Sequence, residues 1–369
     1  MITIQTALPE PSQRQRAHLE KPRVYCQDNR HNRELIQSLR QLHQPFRPTP
    51  WLFNNHLQVL FLSARKQHAA LAYDHIETLT MSDGGQTALA WLGYALPPTT
   101  PTIVVLHTLT GSPQSMQELV VDLHRITGWR IVLCVRRGHA DLPLTQPKFN
   151  IFGSVTDLTE QIAVIQTRLP ESVLYGVGSS AGSGLLVRYL GVVGASTPLR
   201  AAFAYSPGYD TDTGFDHIQP FYSRYMAKKL LRKFVTPHAQ TIAHLPTATR
   251  LQGVKDLSEF QRHAYEFAGY GSLADYARDI NPMRVFTQIS IPMMILNAED
   301  DPVCNIQNAA PYLDAMRKMP EIILVTTARG SHCAHYEGWR ATSWAARLMG
   351  QYLMTQHDRV ATSTPTSAP

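Results

Sequence analysis

The sequence predicts an α/β fold with a mostly parallel central sheet, helices on both faces and a helical cap insertion. Three observations carry that expectation. Short, continuous apolar runs alternate with segments of helical periodicity through most of the chain, as buried parallel strands and their crossover helices do. Turn chemistry at Ser82-Asp83-Gly84-Gly85 separates two strand-like segments, so the sheet opens with a hairpin. Between Pro207 and Pro282 the alternation stops, and aromatic and basic residues take over.

Taken in order, residues 1–44 form a polar N-terminal extension with a helical stretch from Arg33 to Leu42. His75–Thr80 and Thr87–Tyr94 are the hairpin strands. Thr102–His107 is a strand buried on both faces, Gln114–Ile126 a helix, Arg130–Val135 a second buried strand and Val155–Leu169 a second helix. Val173–Val177 and Leu199–Tyr205 continue the sheet, with a helix from Leu185 to Leu190 between them. Pro292–Asn297 and Glu321–Thr326 repeat the strand pattern, followed by helices over Gln307–Lys318 and Trp339–Tyr352. One large domain over 45–356 is expected, with a cap at about 208–282 and a disordered, low-complexity tail at 357–369.

Gly178-Ser179-Ser180-Ala181-Gly182 lies between the strand at 173–177 and the helix after it. A Gly-x-Ser-x-Gly at a strand-to-helix turn is the nucleophile elbow of the α/β-hydrolase fold, in which the serine is exposed on a sharp, strained turn. The helix N-terminus behind it points amides toward a developing oxyanion. Ligands of open parallel sheets gather at the carboxyl ends of the strands. Two later strand ends carry the partners a serine needs. Residues 293–297 run into the acidic loop Glu299-Asp300-Asp301, and residues 322–326 run toward His332. The order Ser, Asp, His is the α/β-hydrolase order. Ser180 is therefore the candidate nucleophile, His332 the base and Asp301 the orienting acid, with Asp300 and, at longer reach, Glu299 as alternatives. The oxyanion hole is expected from the backbone amides of Ala181 and Leu109, with Thr108 in reserve. Cys333 and His335 lack a partner set for a metal.

The chain resembles the YheT/ABHD-type branch of the α/β-hydrolases. The matching residues are Pro45–Gln58 with Trp51-Leu52 and His56-Leu57-Gln58, then His107–Gly111, Arg136–His139 and the Ser180 elbow. Further matches are Phe267–Tyr270, Asp275-Tyr276, Asn297–Pro302, Gly330–His332 and Glu337-Gly338, so the resemblance spans Pro45 to Leu353. Thr108 stands where a Gly is usual, Gly182-Ser183-Gly184 replaces Gly-Gly-Asn, Ala140 replaces a common Gly, and Cys333-Ala334-His335 replaces a Gly-containing segment. The resemblance implies the triad Ser180, Asp301 and His332, and esterase or lipase-like activity on acyl esters, in some members on membrane lipids. It also implies acyl transfer to alcohols in some eukaryotic relatives.

Composition narrows the remaining classes. A hydrophobic share of 44% and a charged share of 17% suit a globular chain with a large core. The net charge of +6 is dispersed and argues against nucleic-acid binding. The densest basic segment, Arg224–Lys233, reads first as the solvated face of an amphipathic helix, with weak contact to an anionic membrane surface as the alternative. Four unpaired cysteines and a polar 13–21 segment, unlike a signal peptide, predict a cytoplasmic protein. The sequence thus predicts a serine carboxylic-ester hydrolase for small-molecule acyl esters of medium to long chain or lipid type, with no metal or organic cofactor. The cap aromatics Tyr209, Phe215, Phe221, Tyr222 and Tyr225 either face an apolar acyl group or pack the cap onto the core. The alternatives are an acyltransferase built on the same acyl-enzyme and a non-catalytic binding protein of this fold.

Overall fold

The computed structural model describes residues 3–9, 20–68 and 72–363. It is organised around a nine-stranded sheet of order β1-β9-β8-β7-β6-β4-β5-β3-β2. The strands are β1 (Arg23–Cys26), β2 (His75–Thr80), β3 (Gln86–Leu92), β4 (Thr102–Leu106), β5 (Arg130–Val135), β6 (Leu174–Ser179), β7 (Leu199–Tyr205), β8 (Met293–Ala298) and β9 (Ile322–Thr327). Strands β4 to β9 pair in parallel, while β2, β3 and β1 add antiparallel edges. Strand β1 pairs with β9. The polar character of residues 1–44 hides it, because it is four residues long and lies between polar segments.

The parallel strands are apolar on both faces because both are covered. Ile103 and Val105 of β4 face one core with Met116, Val120 and Leu348, while Val104 and Leu106 face the other with Leu158, Ile162 and Leu186. The helices concerned are α1 (Arg30–Ser38), α3 (Pro113–Thr127) and a C-terminal helix on the first face, and α4 (Val155–Arg168) and α5 (Ala181–Val193) on the second; α2 (Asn55–His68) packs beside α3. Ser112 caps α3 in a reciprocal capping box with Ser115, and Pro113 occupies its first turn.

Two ends differ from expectation. The C-terminal helix spans Trp344–Ser363, so it begins later than Trp339 and takes up residues 357–363, which the low-complexity reading assigns to a disordered tail. Residues 364–369 lie outside the described residues. The segment Gln307–Lys318 is a 3-10 helix, Ile306–Tyr312, followed by one short α-helix, because Pro311 denies an i to i−4 hydrogen bond.

Between β7 and β8 the chain forms short helices and turns, among them Pro220–Leu230, Leu257–His263 and Leu273–Ile280. Their apolar sides gather into a third cluster that includes Leu230, Phe234, Phe260 and Tyr276 and reaches Leu109 and Phe149 of the sheet domain. This cluster lies over the carboxyl ends of the strands, where the candidate residues are.

Candidate active site

Strand β6 ends at Ser179 and α5 begins at Ala181, so Ser180 occupies the turn between them with φ +53° and ψ −118°. A side-chain-bearing residue is strained there, and the surrounding contacts hold it in place. The Ser180 amide donates to the Tyr205 carbonyl at 2.8 Å, and the Ser183 hydroxyl donates to the Gly178 carbonyl at 2.8 Å. The flanking glycines are required by space. A Cβ on Gly178 would sit 2.6 Å from the Gly182 carbonyl oxygen, and one on Gly182 would sit 2.3 Å from that of Leu106. Backbone cannot yield as a flexible side chain can. Gly182→Ala is therefore expected to lower stability by about 1–3 kcal/mol in urea unfolding.

The three sequence candidates come together. The Ser180 hydroxyl lies 2.8 Å from His332 Nε2, and His332 Nδ1 lies 2.8 Å from Asp301 Oδ2. The other oxygen of Asp301 accepts the amides of Val303 and Cys304 at 2.7 and 2.8 Å, which leaves Oδ2 for the imidazole. Burial opposes a charge on His332. The adjacent Asp301 carboxylate outweighs that effect and holds its pKa well above the ordinary histidine value. The backbone around the histidine is bent sharply as well, with Ser331 at φ +52° and Cys333 at φ +56°.

The alternative acids are engaged elsewhere. Asp300 accepts the Ser331 amide at 2.8 Å, and burial raises its carboxyl to a pKa of about 6. Glu299 is paired with Arg23 of β1 at 2.6 Å and accepts the Thr326 hydroxyl at 2.7 Å, so the unanticipated edge strand braces the acid loop. Asp301, Cys304 and His332 bring three possible metal-ligating atoms within 4.8 Å of one another. His335 instead lies between the Thr327 hydroxyl at 2.8 Å and the Tyr205 hydroxyl at 3.1 Å, and burial lowers its pKa to about 3.

Leu109 and Ala181 both line a cavity of about 100 Å³ beside Ser180, walled mainly by Phe152, Phe215, Ile218 and Met226. Ala181 is the first residue of α5, where amides have no intrahelical acceptor. The loop bearing Leu109 is fixed by its carbonyls. Arg136 donates to the Thr108 carbonyl at 2.6 Å, and His139 Nε2 lies 3.0 Å from the Leu109 carbonyl. Burial, reinforced by the neighbouring Arg136 charge, lowers His139 to a pKa of about 3 and keeps its ring neutral. The cap aromatics divide between two roles. Phe215 faces the cavity and Tyr222 is buried near His332, whereas Phe221 and Tyr225 are exposed.

Asn55 and His56 belong to no catalytic motif and stand out in the sequence only within the Pro45–Gln58 segment that carries the family resemblance. Asn55 Nδ2 donates to the Asp300 carbonyl at 2.8 Å, and its own carbonyl accepts the Ser331 hydroxyl at 2.8 Å. One residue thus ties the acid loop to the histidine loop. His56 Nδ1 shares a 2.8 Å hydrogen bond with the Tyr222 hydroxyl of the cap. Asn55→Ala removes the side-chain tie and is expected to lower kcat about ten- to a hundred-fold with a smaller change in KM, measured on a soluble ester. Neither residue gives a sequence signal for these contacts, which span 245 residues for the Asn55 side chain and 166 for His56.

No family model matches the chain. It is 27% identical over 354 residues to phospholipase ABHD3 of Mus musculus, covering 92% of this chain and 85% of that protein. It is 23% identical over 365 residues to monoacylglycerol lipase ABHD2 of Mus musculus, covering 90% and 84%. The crystal structure of 2,6-dihydroxy-pseudo-oxynicotine hydrolase superposes with a TM-score of 0.52 at 14% identity, covering 81% of this chain and 72% of that one. The fold is that of the α/β-hydrolases, and the sequence is similar to ABHD-type proteins over most of its length.

Proposed function

We propose that this chain is a serine carboxylic-ester hydrolase that cleaves acyl esters of medium to long chain or lipid type through an acyl-enzyme. The observation that carries the reading is the continuous hydrogen-bonded relay from Ser180 through His332 to Asp301, opening on an apolar cavity. Ser180 Oγ attacks the ester carbonyl carbon while His332 Nε2 takes its proton. The Leu109 and Ala181 amides receive the oxyanion, and Asp301 stabilises the imidazolium. Collapse of the tetrahedral intermediate expels the alcohol, which takes the proton from His332. Water, deprotonated by the same nitrogen, then releases the acid and restores the serine. The phospholipase and monoacylglycerol lipase names of two relatives support a lipid acyl group.

A p-nitrophenyl ester series from acetyl to palmitoyl tests the substrate class. Turnover rising from acetyl to a maximum at a longer chain supports it; a maximum at acetyl contradicts it. The pH profile follows from the electrostatics. The base works only as neutral imidazole, and its raised pKa keeps it protonated further up the pH scale. The acidic limb of kcat/KM is therefore expected above the ordinary histidine range of about 6.5, with activity rising as pH increases through it. A limb at or below that value would show that Asp301 does not act on His332 as described.

A further inference from the structure

We propose that the outer face of the cap helix Pro220–Leu230, with the exposed aromatic residues beside α2, docks on an anionic lipid surface. From His217 to Lys255 the chain holds no Asp or Glu but seven Lys and Arg. The helix and the wide turn after it, Leu231–Val235, divide this segment into two faces. Tyr222, Ala227, Leu230 and Phe234 point inward and are buried. Phe221, Arg224, Tyr225, Lys228 and Arg232 recur at i, i+3, i+4, i+7 and i+11, and all are exposed. Among the described residues none of these three cations forms an ion pair. A solvated helix face ordinarily mixes both signs of charge, and this one carries two aromatic rings and a single sign.

The neighbouring segment extends the pattern. Phe53 is 68% exposed, Leu60 66% and Trp339 76%, and the Trp51 indole N–H donates to the Trp339 carbonyl at 3.0 Å. The stacked His56 and Tyr222 rings join this segment to the cap helix. Of eleven exposed large apolar side chains among the described residues, five belong to these two segments, and Trp339, bonded to Trp51, makes a sixth. Single exposed apolar residues are ordinary, whereas a concentration of them marks an interaction surface. Charge complementarity names the occupant. Aromatic rings settle at the headgroup level of a bilayer, and unpaired Lys and Arg side chains match its phosphates. No helix among the described residues is long and apolar enough to cross a membrane. Met226 lines the cavity from the inner side of the same helix. Docking would thus bring the cavity to the lipid, a consequence that rests on the hydrolase reading, although the docking itself does not.

The test is sedimentation of the Ser180→Ala chain, which cannot consume the lipid, with vesicles of phosphatidylcholine alone or mixed with phosphatidylglycerol. Binding is expected to the mixed vesicles and to weaken with added salt. Each basic side chain near an anionic surface contributes about five-fold in partitioning, so the R224E/K228E/R232E variant is expected to lose at least about a hundred-fold. Phe221→Ser with Tyr225→Ser should weaken binding as well, whereas Val192→Ser, exposed elsewhere, should not. Thermal melting checks that each variant folds. Absence of binding to mixed vesicles, or binding that the charge reversals leave intact, would overturn the proposal. Self-association through this face, seen by light scattering and abolished by the same variants, would likewise overturn it. The assay involves no chemistry, so it succeeds or fails independently of whether Ser180 proves to be a nucleophile.

Discussion

Replacing Ser180 by alanine is expected to lower ester turnover by about 10⁴-fold or more while leaving the fold intact. In the proposed mechanism Ser180 Oγ is the atom that forms the acyl-enzyme bond, so its loss leaves only binding and the proposed oxyanion amides, which act without a covalent step. Stability should be spared for a local reason. The strained backbone at φ +53° already accommodates a Cβ, and the hydroxyl's hydrogen bond is to His332, which retains Asp301. Coincident melting of the two proteins, with turnover lost only in the variant, assigns the loss to chemistry. Residual turnover within about ten-fold of the parent would mean that another group attacks the ester.

The second large effect separates the two neighbouring aspartates. Asp301→Asn is expected to reduce kcat by roughly 10³- to 10⁴-fold, about 4–5.5 kcal/mol of transition-state stabilisation. An amide at that position can hold the ring by donating its N–H, which favours the wrong tautomer, and it carries no charge to stabilise the imidazolium. Whatever activity remains should show its acidic limb at lower pH, because the carboxylate that raises His332 has gone. Asp300→Asn should cost less than about ten-fold, since an asparagine oxygen still accepts the Ser331 amide. The reverse ranking of the two variants would transfer the orienting role to Asp300.

Much of this arrangement is legible in the sequence because its signals are local. The apolar runs of β4 to β9 announce strands buried on both faces, and the elbow glycines report two positions, 178 and 182, with no room for a Cβ. The choice of Asp301 over Asp300 lies beyond sequence spacing. It depends on the Val303 and Cys304 amides turning one carboxylate and the Ser331 amide capturing the other. Strand β1 escapes notice because four residues between polar flanks carry too little periodicity, although Val24, Tyr25 and Cys26 are almost wholly buried. The role of Arg136 is hidden for a different reason. A fully buried guanidinium looks like a surface charge until its carbonyl partners, supplied by a loop near thirty residues earlier, are in view. Asn55 is similar: its contacts with the acid and histidine loops are visible only when the chain ends have been brought together.

The proposed nucleophile can be examined most directly by intact-mass and peptide mass spectrometry after treatment with a fluorophosphonate. The relay predicts one adduct per chain, mapped to Ser180, formed more slowly in Asp301→Asn and absent in Ser180→Ala. A folded parent protein that takes up no adduct, or takes it up on a residue other than Ser180, would contradict the assignment of a serine hydrolase centred on this turn.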